Sequence, residues 1–397
     1  MYMVKSAKGL TGVGITIFGF EDVCKKEIES FGAKEVKTSK GFVKFIVNDE
    51  LELSKIAYKS QTTSRIINPI CELAISRDII NAEKDVIGEL KRINISNWLK
   101  KGKTFKVECE RDGDHEFTSS VFESLLGRLI IESVEKGYDF TPKVSMDNPD
   151  IIIYTNIRDG ICIFGVDYCG FDMSKRDYHI FVNKISIRGV LGACLALYAD
   201  MKPKKTVLDT FSSSGTIVIE TALLSDSISP NFFRKEEFMF RRFDALKETD
   251  WEAFFKKIDK KIKSKNFKII ATDPLLANIR STTKNAKIAG VQKSIAASRV
   301  DIEWLDTKID KSSVDTVITR LPSVSRSNPE KDIEKLYKEF FYQLEYLLKK
   351  DGNIIIIMSE KDIMVNVAKK YKFIEESVRE IMVGKMPLKV ITLKKSG

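Results

Sequence analysis

Three aspartates carry the clearest chemical signal in this 397-residue chain. Asp209 ends a short apolar run, 206–208, and is followed by Thr210-Phe211-Ser212-Ser213-Ser214-Gly215-Thr216 and a helical stretch over 217–224. Small residues in such a loop let the backbone come close to a ligand. The carboxylate can accept from an ammonium or a ligand-bound water, and the helix start offers N–H groups to a ligand carboxylate. Asp273 ends a second apolar run and can take both ribose hydroxyls of a nucleoside. Asp301 ends a third, where a carboxylate or its neighbouring N–H can read an adenine edge. Any one of them could be a helix cap, and Asp273 before Pro274 suits that role well. Three successive strand ends each finishing in Asp is a spacing that a purely structural sheet rarely needs. A fourth run, 316–318, leads into Thr319-Arg320-Leu321-Pro322-Ser323.

The elements that must hold these residues alternate strictly from Lys205 onward. Strands are predicted at 206–208, 268–271, 294–297, 316–318 and 353–358, with helices between. Short runs this apolar imply a parallel sheet buried on both faces, with ligands at the carboxyl ends of its strands. The stretch 232–255 interrupts the alternation and interleaves Arg234, Lys235, Arg241 and Arg242 with five phenylalanines. It can stack bases and pair phosphates, or it is an amphipathic insertion that packs its aromatics on the sheet. Upstream, 14–75 reads as a small α+β layer with two helices. Residues 76–168 form a second unit with a long helix near 118–136 and a hairpin turn at Arg158-Asp159-Gly160. A connector with a helix over 187–199 follows.

The formal net charge of +10 suits a polyanionic partner, nucleic acid before anionic membrane, and equally a face of solvated lysines. Six cysteines form no CxxC pair and there are only two histidines, so metal sites and disulfide frameworks are not expected. A reducing cytoplasm is the simpler setting. No apolar run is long enough to span a bilayer, and 1–19 reads as a first strand, not as a leader.

With these motifs in order, the chain resembles the THUMP-containing RNA methyltransferases, particularly the archaeal and eukaryotic branch that makes N2-methylguanosine in tRNA. The resemblance rests on Asp209 to Thr216 with Ile219-Glu220-Thr221-Ala222, on Asp273 with Asn285-Ala286 and Ala289-Gly290-Val291, and on Asp301. Upstream it rests on Asp147-Asn148-Pro149-Asp150, Lys175-Arg176-Asp177-Tyr178-His179 and Thr63-Ser64-Arg65. It implies an α/β fold: a Rossmann-like methyltransferase domain over 201–397, preceded by an α+β ferredoxin-like domain (1–75), a THUMP domain (76–168) and a linker with its helix (169–200). It implies S-adenosylmethionine as cofactor, tRNA or another structured RNA as partner, and neither membrane nor metal. Asp209, Phe211, Gly215 and Thr216 would line the methionine side, Asp273 the ribose and Asp301 the adenine. Base access would be at Arg320, Leu321 and Pro322, and Lys175 and Arg176 would contact phosphates.

The tip departs from the family pattern, which has Asp or Asn, a Pro-Pro or Leu-Pro pair, and an aromatic. An acceptor there holds the N–H groups of a poorly nucleophilic amine, and the aromatic stacks on the base. Arg320 has five donors and no acceptor. At about 4 Å and an effective dielectric of about 20, its charge would cost an amine turning positive roughly 4 kcal/mol, about a thousandfold in rate. Ser323 removes the stacking platform, and Ser213 stands where the family has Gly. Three readings stay open: Arg320 turns aside and another acceptor serves, the domain binds RNA without methylating it, or the chain is a soluble nucleotide-binding protein of another kind.

Overall fold

A computed structural model describes residues 5–6, 9–93, 95, 98–260, 262 and 266–396. The chain forms two compact units. One comprises Met1–Thr16, Cys24–Met173 and Arg234–Ile258; the other comprises Ile17–Val23, Ser174–Phe233 and Asp259–Gly397.

The first unit is built, in chain order, from β1 (Lys5–Ser6), β2 (Gly9–Thr16), α1 (Glu21–Ser30, its first turn grouping with the second unit), β3 (Lys34–Ser39), β4 (Phe42–Val47), α2 (Glu50–Lys59) and β5 (Thr63–Ala74). There follow α3 (Ile79–Leu90), β6 (Thr104–Asp112), α4 (Ser119–Gly137), β7 (Lys143–Val144), β8 (Ile151–Arg158) and β9 (Ile161–Asp167). The strands make one sheet in the order β3-β4-β2-β5-β9-β8-β6-β7, with β1 on β2. Helix starts follow from local chemistry: Asp49, Asp78 and Thr118 each accept the third backbone N–H beyond them, satisfying an amide the helix cannot. Central strand β5 contains Pro69, which has no N–H to give the ladder. The pairing with β9 shifts there, opposite Gly165, where a Cβ would sit 2.3 Å from the Asn68 carbonyl oxygen. Strand β3 had no clear sequence signal because only Val36 of Lys-Glu-Val-Lys-Thr-Ser is buried; it is a charged edge strand.

The aromatic insertion buries rings, as an amphipathic insertion would, but in the first unit. Phe238, Phe240 and Phe255 are buried in the first unit, with ring centroids of Phe238 and Phe255 6.1 and 4.8 Å from that of Tyr58. They are therefore core residues, and they pack with α1 and α2 and not on the second sheet. The interruption expected at 232–255 within 201–397 groups with the first unit as Arg234–Ile258.

The second unit contains α5 (Gly189–Tyr198), β10 (Thr206–Asp209), α6 (Thr216–Asp226), β11 (Lys268–Asp273), α8 (Leu276–Ile288), β12 (Ile295–Arg299), β13 (Val314–Thr319), α9 (Glu330–Leu347), β14 (Leu348–Met358), α10 (Asp362–Lys370), β15 (Phe373–Val383) and β16 (Met386–Lys395); α7 (Trp251–Asp259) closes the insertion. Sheet order is β12-β11-β10-β13-β14-β16-β15. The first five strands are parallel and β16 is antiparallel to both its neighbours. In β14, Ile354 and Ile356 pack toward α9 and α10, while Ile355 and Ile357 pack toward α5. That two-sided burial is why the strand reads as an unbroken apolar run.

Candidate active site

Strand order reverses at β10, which sits between β11 and β13. The β10–β13 ladder pairs only Val207 with Thr316 and Leu208 with Val317. Beyond it, a side-chain bond takes over: Thr319 Oγ1 donates to Asp209 Oδ1 at 2.7 Å. This ties the end of β10 to the last residue of β13, just before Arg320-Leu321-Pro322. The Phe211 N–H donates to the same oxygen at 3.1 Å, and Oδ2 has no hydrogen-bond partner among the described residues. Asp209 is buried, and burial pushes its carboxyl up to about 7. The Thr319 and Phe211 bonds oppose that rise, and the charge of Asp273 adds to it.

The loop after Asp209 is shaped by two left-handed residues. Gly215 has φ +84°, and a Cβ there would lie 2.7 Å from Thr282 Cγ2. Gly215 is also the N-cap of α6 and offers no side chain, so the first amides of that helix stay open to a ligand carboxylate. Ser213 has φ +53°, a conformation that glycine adopts without cost and serine does not. Its side chain is put to use in a closed ring of hydrogen bonds. Ser213 N–H donates to Asp273 Oδ2 at 3.0 Å, and Ser213 Oγ donates to Asn183 Oδ1 at 2.9 Å. Asn183 Nδ2 donates to Asn278 Oδ1 at 3.1 Å, and Asn278 Nδ2 donates to Asp273 Oδ1 at 3.0 Å. The Leu275 N–H adds a third bond to Asp273, leaving one carboxylate lone pair, on Oδ2, unused. Burial raises the Asp273 carboxyl, and the Leu275, Ser213 and Asn278 bonds hold it down.

The expected site residues divide into those that converge and those that do not. Asp209, Gly215, Thr216 and Asp273 converge. Thr216 Oγ1 lies 3.3 Å from His179 Nε2, whose pKa is lowered by burial and then by the Arg188 charge. The Phe211 ring belongs to the core beneath the loop, so only its backbone is available to a ligand. Leu321 is likewise a core side chain, and the Pro322 carbonyl accepts from Tyr337 Oη at 2.7 Å. Asp301 is exposed and sits 3.5 Å from Arg299, whose Nε donates to the Pro274 carbonyl at 3.0 Å. Half-buried Arg320 donates from a terminal nitrogen to the Ile185 carbonyl at 2.7 Å, so its guanidinium is held by the linker. Arg176 requires a correction. Its side chain is 0% exposed and forks onto Glu220 at 2.8 and 3.2 Å, while Tyr178 Oη donates to the same carboxylate at 2.7 Å. It cannot contact phosphate, and the Glu220 of α6 is the anchor of the linker. Lys175 is exposed. Asn183, Asn278 and Thr319 carried no sequence signal of their own, because single polar residues next to a motif look like ordinary loop residues.

Residues 176–389 match the family described as RMKL-like methyltransferase domain, and residues 81–167 match the THUMP domain. The chain belongs to the RMKL-like methyltransferase family. Two archaeal relatives are each named tRNA (guanine(6)-N2)-methyltransferase. That of Methanocaldococcus jannaschii is 28% identical over 94% of this chain and 97% of its own. That of Archaeoglobus fulgidus is 26% identical over 89% and 84%. Among solved structures, a possible methylase from Clostridium difficile 630 superposes with a TM-score of 0.82 at 23% identity, covering 98% of this chain and 99% of that one. TrmN from Thermus thermophilus superposes at 0.66 and 21%, covering 98% and 100%. At these identities the structures speak for the fold.

As a methyltransferase of this family the protein uses S-adenosylmethionine, and the chemistry of the donor set suits that molecule. A buried carboxyl with an unbonded oxygen and no cation beside it is completed by an ammonium. An open helix start is completed by a carboxylate, and Asp273 keeps an acceptor for a ribose hydroxyl. Among the described residues no cluster of His, Cys, Asp and Glu could hold a metal ion, and no helix is long and apolar enough to cross a membrane.

Proposed function

We propose that this protein methylates the exocyclic N2 of a guanosine in tRNA. The reading is supported above all by likeness along almost the whole chain to the archaeal relatives, through both the THUMP and the methyltransferase regions. Within the site, Asp209 takes the donor's ammonium, the start of α6 its carboxylate, Asp273 a ribose hydroxyl and Asp301 the adenine edge. The target base leaves its stack and enters beside Pro322. Arg320 stays fastened to the Ile185 carbonyl, out of the way of the amine. The backbone carbonyls of Arg320 and Leu321 supply the acceptors that the side chain does not. Six cysteines without a disulfide among them favour a reducing compartment, the cytoplasm.

The test is transfer of tritiated methyl from S-adenosylmethionine to unmodified tRNA, followed by digestion to nucleosides. Label in N2-methylguanosine is expected; label in another nucleoside overturns the assignment. A second reading rests on Arg320 and Ser323: the chain binds donor and RNA without transferring the methyl. Transfer by Arg320→Asp and none by the native chain would favour it.

A further inference from the structure

The linker between the N-terminal region and the second sheet does more than connect. Its backbone is laid along α8 by the buried Asn285, which accepts from the Phe181 N–H at 3.0 Å and donates to the Phe181 carbonyl at 2.9 Å. Asn183 fastens it again to Asn278, 3.1 Å away at the other end of the same helix. Helix α8 reads Leu-Ala-Asn-Ile-Arg-Ser-Thr-Thr-Lys-Asn-Ala-Lys-Ile and contains no acidic residue. Its cations Arg280, Lys284 and Lys287 fall at i, i+4 and i+7, one face of the helix, and all three are exposed. Among the described residues none has a carboxylate within salt-bridge distance, whereas α4 and α9 pair cations with acids one turn away. What lies against this face is aromatic: Lys284 Nζ sits 4.6 Å from the Phe181 ring centroid. Phe181 is itself 37% exposed and is followed by exposed Lys184.

Rows of unpaired cations with an exposed ring among them are what a single-stranded polyanion with stackable bases fits. The row starts at Asn278, which holds Asp273, and the same linker reaches the altered tip through the Ile185 carbonyl. A strand lying here therefore runs to the place where methyl transfer occurs. We propose that the outer face of α8, with Phe181 and Lys184 of the linker, binds the single-stranded RNA that flanks the target nucleotide. The proposal rests on the RNA-methyltransferase reading above and adds to it a surface outside the THUMP domain.

The experiment uses the full chain, unmodified tRNA and a short unstructured oligoribonucleotide, with binding measured across a salt series. The triple variant Arg280→Gln, Lys284→Gln, Lys287→Gln should bind at least tenfold more weakly. The slope of log affinity against log salt should fall by about two, from about 0.7 per single-strand phosphate. Phe181→Ala should lose about tenfold with its slope unchanged, the stacking contribution alone. S-adenosylhomocysteine binding should be unaltered in both, showing an intact second unit. A control triple on α9 and α10, Lys335→Gln, Lys369→Gln, Lys370→Gln, should bind RNA as the native chain does. Equal losses in the two triples mean bulk charge, and an unweakened α8 triple means no contact; either overturns the proposal while leaving the enzymatic reading standing. No RNA binding by the native chain overturns both. Capture of the native chain by phosphatidylserine vesicles, lost in the α8 triple while tRNA binding persists, would assign the face to a membrane and overturn the proposal.

Discussion

Replacing Asp209 by Asn should make the donor-free protein more stable at pH 8 and leave it unchanged at pH 4, while weakening donor binding. The carboxyl is pushed up to about 7 in the folded protein because burial is not matched by any cation. Its unfolded value is near 3.9. A raised carboxyl binds more protons folded than unfolded between those values, so stability falls as pH climbs from about 4 to about 7 and the loss is complete above 7. Raising the carboxyl from about 3.9 to about 7 costs about 4 kcal/mol at most. Asn keeps an oxygen for the Phe211 N–H and the Thr319 hydroxyl and removes the charge, so most of that cost should be recovered. Urea unfolding of both proteins at pH 4, 6 and 8 reads it directly. Binding supplies the other half of the test. At pH 6 only about a tenth of the carboxyl is ionised, so S-adenosylhomocysteine should bind about tenfold more weakly there than its plateau. Calorimetry at pH 6 in two buffers of different ionisation heat should show proton release on binding. The ligand's own amine loses its proton at still higher pH, which makes affinity fall again on the alkaline side. A stability difference between the two proteins that is the same at every pH, or binding without proton release, would refute the assignment of Asp209 to the ammonium.

Two further outcomes follow from the geometry. Arg176→Ala should destabilise the protein by about 3–5 kcal/mol, because it takes the cation away from the fully buried Glu220 carboxylate; thermal unfolding should show it, and the salt dependence of RNA binding should not change. Gly215→Ala places a Cβ 2.7 Å from Thr282 Cγ2 at a φ of +84°, so it should lower stability by about 1–3 kcal/mol and abolish calorimetric S-adenosylhomocysteine binding.

What the sequence made legible, and what it hid, both have physical reasons. Strand β14 announces itself because Ile354 to Ile357 are buried on both faces, whereas edge strand β12, Ile295–Arg299, has no buried residue and shows only as a short apolar run. The β15–β16 hairpin does not announce itself, since only Phe373 and Ile381 of Phe373–Val383 are buried and the strand carries acids and a base among its apolar residues. The three aspartates were visible because strand ends fix where they lie, yet their environments differ in ways spacing cannot carry. Asp209 is buried and unpaired, Asp273 is buried within a ring of amides and a hydroxyl, and Asp301 stands at the surface beside Arg299. Arg176 was misread for the same reason. A basic pair in a linker looks like a phosphate contact unless one knows that Glu220, 44 residues on, faces it from a neighbouring helix.

Arg320 shows how far the linker reaches into the chemistry. Three attachments hold it: Asn285 grips Phe181, Asn183 joins Ser213 to Asn278, and Arg320 grips Ile185. The last of these uses the position that the sequence resemblance aligns with the family's acceptor. Distance decides what that substitution costs. At an effective dielectric of about 20, a guanidinium about 4 Å from an amine turning positive costs about 4 kcal/mol, and one about 8 Å away costs about 2. In rate these are about a thousandfold and about thirtyfold. On the proposed reading, a guanidinium held on the Ile185 carbonyl costs the transfer less than one facing the amine. It also makes the linker, which carries Phe181 and Lys184 on its outer side, a determinant of the charge next to the base. If the proposed RNA strand lies on α8 and the linker, it favours the arrangement in which Arg320 is held on the Ile185 carbonyl, and substrate binding and relief of the charge would then act in the same direction.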